Sequence, residues 1–242
     1  MELKGKRAVI TGGSRGIGAT TAIALAKKGA DVAVVYHSHK DKAQKVADQA
    51  QRHGVKALAF GADLRKWPEV QRLMGEIKQA LGGIDILINS AGINGDNTTI
   101  EEISMDEWKN VLDSNLTSAF YCVKASVDEL RKNRGKIVNL SSIAAKMGGK
   151  LGPHYAATKG GLSSMTFSMA TELAPEVTVN AVAPGPVDTE LISPEVKEKL
   201  AKLTPFGRIA TPEEIAHTII YLLENDFVSG EIIDVNAGRH KD

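Results

Sequence analysis

Seven short apolar runs rich in β-branched residues punctuate this chain of 242 residues, and longer amphipathic stretches separate them. The runs are Ala8–Ile10, Val32–Tyr36, Ala57–Phe60, Ile84–Asn89, Lys136–Leu140, Val177–Val182 and Glu231–Val235. Such alternation builds βαβ units around a parallel sheet. A strand covered by helices on both faces buries both of its own, so it reads as a continuous apolar run. With 43% apolar residues the chain can fill one sizeable core. The expectation is a single α/β domain over residues 1–242, a doubly wound parallel sheet of seven strands with helices on both faces.

Helix ends are legible in places. Thr211-Pro212-Glu213-Glu214 offers a threonine cap, a proline in the first turn and a glutamate three residues after the cap, which is a capping box. Ser193-Pro194 and Trp67-Pro68 read as helix starts, and Lys28-Gly29 and His53-Gly54 as helix ends. Two long helices are expected near Met105–Lys132 and His154–Leu173.

Bulk properties exclude several functions. The formal charge is +1, the signs are interspersed, and no run of five like charges occurs, so neither a nucleic-acid patch nor a membrane surface is expected. No uninterrupted stretch of 18 apolar residues occurs and no apolar leader opens the chain, which reads as cytoplasmic. The single cysteine, Cys122, sits in an apolar stretch and reads as a buried small hydrophobe. The six histidines show no ligand spacing, so no metal is expected.

The first strand leads directly into Thr11-Gly12-Gly13-Ser14-Arg15-Gly16-Ile17-Gly18, and a helix follows. Glycines allow a tight turn and close backbone approach to a pyrophosphate, and the helix presents free amides and its positive dipole end to the anion. In doubly wound sheets ligands bind at the carboxyl ends of strands. Asp63, Asn89 and Ser142 fall there, after strands three, four and five. An acid at the end of strand two would bind a ribose 2′-OH and repel a 2′-phosphate, but the chain reads Tyr36-His37-Ser38 there, and the first acid, Asp41, belongs to the next helix. Arg15 can supply a guanidinium to a phosphate, so NADP(H) is favoured over NAD(H). The alternative leaves Arg15 in solvent and both cofactors accepted.

Tyr155 and Lys159 stand four residues apart, with Ser142 upstream. On a helix that spacing puts phenol and ammonium on one face, and a nearby cation favours the phenolate. A serine hydroxyl at the same spot could hydrogen-bond a substrate oxygen, so the set points to proton transfer at a carbonyl. Taken alone, a surface tyrosine beside a solvated lysine is the alternative. His154 either lines the substrate pocket or merely opens its helix.

Together, Thr11-Gly-Gly-Ser-Arg-Gly16-Ile-Gly18, Asn89-Ser-Ala-Gly92, Asn115, Ser142, Tyr155-Ala-Ala-Thr-Lys159 and Pro184-Gly185 resemble the short-chain dehydrogenases/reductases over essentially the whole chain. The resemblance implies a Rossmann-type fold and hydride transfer between nicotinamide and a carbonyl or secondary alcohol. It implies a catalytic set in which Asn115 holds a relay water, Ser142 polarises the carbonyl, Tyr155 is the acid or base, and Lys159 lowers the tyrosine pKa and holds the nicotinamide ribose. It also assigns cofactor contacts: Gly12, Ser14, Arg15, Gly16, Ile17 and Gly18 at the pyrophosphate, and Tyr36, His37 and Ser38 at the ribose. Asp63 and Leu64 lie near the adenine, Asn89, Ala91 and Gly92 form the floor, and Pro184, Gly185, Val187 and Thr189 lie at the carboxamide. Ser90 replaces the usual second asparagine of the Asn-Asn-Ala-Gly motif.

Within the family the chain is most similar to the β-ketoacyl-acyl carrier protein reductases, which implies a 3-oxoacyl thioester substrate. Leu173-Ala-Pro-Glu-Val lacks the longer basic turn where their carrier protein docks, and Arg131, Lys132, Arg134 and Lys136 remain as a docking patch. The alternatives are a sugar or other small-alcohol dehydrogenase, or a catalytically silent dinucleotide-binding sensor. A short helix over about Leu191–Leu203 is a candidate lid. The family implies a homotetramer, with Gly160, Gly161, Ser163 and Ser164 permitting close helix packing between subunits.

Overall fold

A computed structural model describes residues 1–190 and 192–240. Strands β1 (Arg7–Thr11), β2 (Asp31–Tyr36), β3 (Ala57–Gly61), β4 (Ile86–Asn89), β5 (Lys136–Leu140), β6 (Thr178–Pro184) and β7 (Ile232–Val235) form one sheet in the order β3-β2-β1-β4-β5-β6-β7. Every neighbouring pair is parallel. In register, Ile10 lies opposite Val34 on one side and Ile88 on the other.

Alternate residues of each strand enter different cores, as the two-residue side-chain period requires. Ile10, Val34, Ile86 and Ile88 face α1 (Gly16–Lys27), α2 (Lys40–Gln51) and α9 (Pro212–Glu224). Val9, Val35, Leu87 and Ile137 pack on the other side, against α3 (Trp67–Leu81), α5 (Ser118–Lys132) and α7 (Gly152–Glu172). Fully burying one such aliphatic side chain contributes about 1.5–3 kcal/mol, so these two layers supply most of the stabilisation. Cys122 belongs to the second layer, and burial pushes its thiol up to about 12, out of the range of a catalytic thiolate.

The helix signals perform as chemistry dictates. Thr211 Oγ1 accepts the Glu214 N–H at 3.4 Å and Glu214 Oε2 accepts the Thr211 N–H at 2.8 Å, closing the capping box of α9. Gly29 and Gly54, with φ of 82° and 79°, end α1 and α2 in the left-handed region.

The expected helix from Met105 to Lys132 is interrupted. A π-turn over Asp113–Thr117 separates α4 (Met105–Leu112) from α5, and brings the Asn115 amide against the Ile93 main chain, where it both donates and accepts. Two shorter helices, α6 (Ala144–Met147) and α8 (Pro194–Lys202), lie near the carboxyl ends of β5 and β6.

Candidate active site

Strand order reverses at β1, between β2 and β4, and there a cleft of about 1000 Å³ opens at the carboxyl ends of the strands. The glycine loop, Tyr36 to Ser38, Asp63, Leu64, Ala91 and Gly92 line it, and so do Pro184, Gly185, Val187 and Thr189. Asn89 stands behind this wall, donating from Nδ2 to Asn139 Oδ1 at 2.9 Å.

The loop fits a dinucleotide. A Cβ on Gly18 would sit 2.4 Å from the Gly12 carbonyl oxygen, and one on Gly12, whose φ is +63°, would sit 2.9 Å from Ala91 backbone atoms. Only bare backbone packs so closely, and it brings the start of α1 onto the cleft. That start has no side-chain cap at Arg15 and no acid in its first turn, so its amides and dipole are left to an anion such as a pyrophosphate. Thr11 Oγ1 accepts the Ser90 and Ala91 N–H groups at 3.0 and 3.1 Å, tying the loop to the end of β4.

At the far end, Arg65 grips Asp63 through Nε and Nη2, both at 2.8 Å, and its side-chain hydrogen bonds bring the carboxyl down to about 2. Arg65 was not expected, and its position two residues after Asp63 is the signal that could have found it.

At the reacting end, α7 opens at Gly152-Pro153 and presents Tyr155 and Lys159 from successive turns. Lys159 is buried, 6% exposed, and donates from Nζ to the Leu140 carbonyl at 2.6 Å. Burial takes its ammonium down to about 8. The expected acidification of Tyr155 by Lys159 is not what the geometry displays. Burial raises the phenol pKa, the Ser142 hydroxyl works in the opposite direction, and the lysine hydrogen bond goes to the strand carbonyl. Ser142 Oγ accepts the Ala144 N–H at 3.1 Å, which leaves its own proton to be donated elsewhere.

Asn115 lies behind the cleft. Its Nδ2 donates to the Ile93 carbonyl at 2.9 Å and to Thr158 Oγ1 at 3.3 Å, and its Oδ1 accepts the Ile93 N–H at 2.7 Å. The Asn115 side-chain amide is thus engaged as a strut between Ile93 and Thr158. Gly92 sits over both neighbours: a Cβ there would be 3.1 Å from Asn115 Oδ1 and 3.9 Å from Lys159 Nζ.

The cleft that Tyr155 lines is also lined by the apolar Ile93, Met147 and Leu151 and by Val196, Leu200 and Leu203 of the α8 segment. The expected lid therefore borders the site, and its first residue, Leu191, lies outside the described residues. Arg239 also lines the cleft, and its buried Nη1 has no hydrogen-bond partner among the described residues. No motif announces it.

Two further expectations change. Lys136 is 3% exposed, donates to the Asn225 carbonyl at 2.6 Å and pairs with Asp226, so it leaves the proposed docking patch to Arg131, Lys132 and Arg134. Gly161 makes room inside the chain, because a Cβ there would meet Leu116 Cδ2 at 2.8 Å. Ser163 is likewise used internally, donating to the Lys159 carbonyl at 3.1 Å.

Comparison with known proteins bears on this site. A family model described as short chain dehydrogenase matches residues 6–200. The chain is 37% identical over 242 residues to the 3-oxoacyl-[acyl-carrier-protein] reductase FabG of Staphylococcus epidermidis, covering 97% of this chain and 99% of the relative. The protein of the same name from Aquifex aeolicus is 37% identical over 246 residues, covering 98% of each. The crystal structure of a dehydrogenase/reductase from Sinorhizobium meliloti superposes with a TM-score of 0.93 at 31% identity, covering 99% of this chain and 98% of that one.

Proposed function

Starting from the fact that this chain belongs to the short-chain dehydrogenase family, and so is an NAD(P)-dependent oxidoreductase acting at a carbonyl or CH–OH group, we propose that it reduces a 3-oxoacyl thioester with NADPH. The observation that carries this is the sharing of one apolar-mouthed cleft by Ser142, Tyr155 and Lys159. A bound reduced nicotinamide supplies the hydride. The Ser142 hydroxyl donates a hydrogen bond to the substrate carbonyl oxygen, and Tyr155 delivers its phenolic proton to that oxygen as the alcohol forms. Lys159 supplies positive charge beside the phenol ring, at 5.6 Å from its centre. Asn115 holds the Ile93 main chain that borders the substrate.

NADPH is favoured over NADH by two features. Arg15 lines the same cleft as Tyr36, His37 and Ser38, and two acids of that cleft are already paired, Asp63 with Arg65 and Glu190 with Lys42. The apolar walls from Met147, Leu151, Val196 and Leu203 suit an acyl chain better than a polyhydroxylated sugar. The absent basic turn before β6 and the burial of Lys136 favour a second reading, in which the substrate is a smaller ketone or alcohol and no carrier protein docks. We read the exposed Met105, Trp108, Phe120 and Phe167 of α4, α5 and α7 as subunit contacts of a homotetramer. No helix among the described residues is long and apolar enough to cross a membrane, and a cytoplasmic location is part of the proposal.

The test is loss of reduced-nicotinamide absorbance with a panel of 3-oxoacyl thioesters, simple ketones and sugars. The expected result is kcat/KM rising with acyl length. Faster turnover of sugars or short ketones would favour the second reading, and tight NADPH binding without any turnover would reveal a sensor.

A further inference from the structure

We propose that Glu107 and the buried His154 form a positioning pair that holds the main chain of Tyr155, so that a carboxylate outside the reacting groups governs turnover. The proposal rests on the reading of Tyr155 as the proton donor. His154 is fully buried, does not line the cleft, and stands between α4 and the first turn of α7. Its Nδ1 accepts the Tyr155 N–H at 2.8 Å, and its Nε2 lies 3.4 Å from Glu107 Oε1. One arrangement satisfies both contacts. An accepting Nδ1 carries no proton, so the ring proton is on Nε2 and is donated to the carboxylate.

Glu107 is itself fixed. Oε1 accepts the N–H groups of Asp96 and Asn97 at 2.7 and 2.8 Å, and Oε2 accepts Asn97 Nδ2 at 2.7 Å. These bonds, those from Asn97 foremost, hold its carboxyl down at about 2, so it stays an acceptor throughout the neutral range. The same carboxylate thereby anchors the loop that begins at Asn94, a cleft-lining residue. Two glycines leave room for the ring: a Cβ on Gly95 would sit 2.5 Å from His154 Nε2, and one on Gly152 would sit 2.8 Å from His154 Cε1.

The physical consequence lies at the helix start. Tyr155 is the fourth residue of α7, and its amide is held by the imidazole of the residue before it. A ring released from Glu107 can turn about its χ2 torsion and present carbon where Nδ1 now stands. Tyr155 then shifts relative to Ser142, and proton transfer is sensitive to sub-ångström displacement.

Isosteric variants separate the two halves of the pair. In His154→Asn the amide oxygen takes the place of Nδ1 and still accepts the Tyr155 N–H. In His154→Gln the amide nitrogen takes the place of Nε2, keeping the bond to Glu107 and losing the acceptor. The measurements are kcat, KM and melting temperature of the full chain with NADPH and the best substrate of the panel. His154→Asn is expected to keep kcat within about threefold and His154→Gln to lose about tenfold or more, with KM little moved in both. Glu107→Ala is expected to lower kcat about fivefold or more in the wild-type background and by a clearly smaller factor in the His154→Asn background, where only its hold on the loop from Asn94 to Asn97 remains. Equal kcat for His154→Asn and His154→Gln, or equal losses from Glu107→Ala in the two backgrounds, would overturn the proposal. Should His154→Gln not fold, the Glu107→Ala comparison decides. Tyr155→Phe, measured alongside, separates the two levels: if that variant turns over normally, the proton-donor reading fails and this proposal falls with it.

Discussion

Lys159 stands with its ammonium nitrogen 5.6 Å from the centre of the Tyr155 ring while its hydrogen bond, at 2.6 Å, goes to the Leu140 carbonyl. Helical spacing puts the two side chains on one face, and the end of β5 then claims the lysine proton. The pair is therefore a half-buried phenol beside a buried ammonium, each pushed towards its neutral form.

In the protein without cofactor, Tyr155 is expected to ionise above the ordinary phenol range. Alkaline titration of phenolate absorbance, wild type minus Tyr155→Phe, measures this directly. A midpoint below the ordinary tyrosine value would restore the acidified phenol expected from sequence alone.

Tyr155→Phe is expected to reduce kcat by about 10²–10⁴, the usual contribution of a positioned general acid, with the Kd for NADPH within about threefold of wild type. Fluorescence titration of NADPH and initial rates separate binding from chemistry. Comparable losses in both would make Tyr155 a binding residue only.

Lys159 predicts a pH-dependent stability. Its folded pKa is lowered from 10.5 to about 8, so between these values the unfolded chain holds more protons and stability rises with pH. Below pH 8 the full penalty is present, on the order of 3 kcal/mol. Denaturant unfolding of the cofactor-free protein at pH 7.5 and pH 10 is expected to show a gain at the higher pH that Lys159→Met lacks. A parallel response in the two proteins would place the charge elsewhere.

Arg15→Ala is expected to weaken NADPH about 10-fold or more, the loss of a charge-assisted hydrogen bond to phosphate, while NADH binding changes little. Equal losses for the two dinucleotides would remove the argument for a 2′-phosphate contact at this residue.

Gly18→Ala places a methyl group 2.4 Å from a main-chain oxygen of Gly12. Overpacking of this kind costs about 1–3 kcal/mol, and here the atom that must move belongs to the phosphate loop. A lower melting temperature and lost dinucleotide affinity are expected together; unchanged binding would mean that the loop tolerates the shift.

The central strands were legible because they are buried on both faces, so Val32–Tyr36 reads as an unbroken apolar run, and it and Lys136–Leu140 appear within a residue of their expected limits. Thr211 to Glu214 was legible because a cap is a local hydrogen-bond exchange between residues three apart. The π-turn at Asp113–Thr117 was not, because what accompanies it is a contact between Asn115 and Ile93, twenty-two positions earlier. His154 left two readings open for the same reason: its partner, Glu107, lies on another helix.

Residue types and spacing alone determined a parallel sheet, a phosphate-cradling turn after its first strand, and a phenol and an ammonium on one helical face. These follow from backbone sterics and periodicity, which act over a few residues. The tertiary structure alone decided where the charges go: Lys159 to Leu140, Arg65 to Asp63, Lys136 to Asp226, and His154 between Glu107 and Tyr155. Proton affinity depends on desolvation and on partners within a few ångströms, and folding draws those partners from distant parts of the chain.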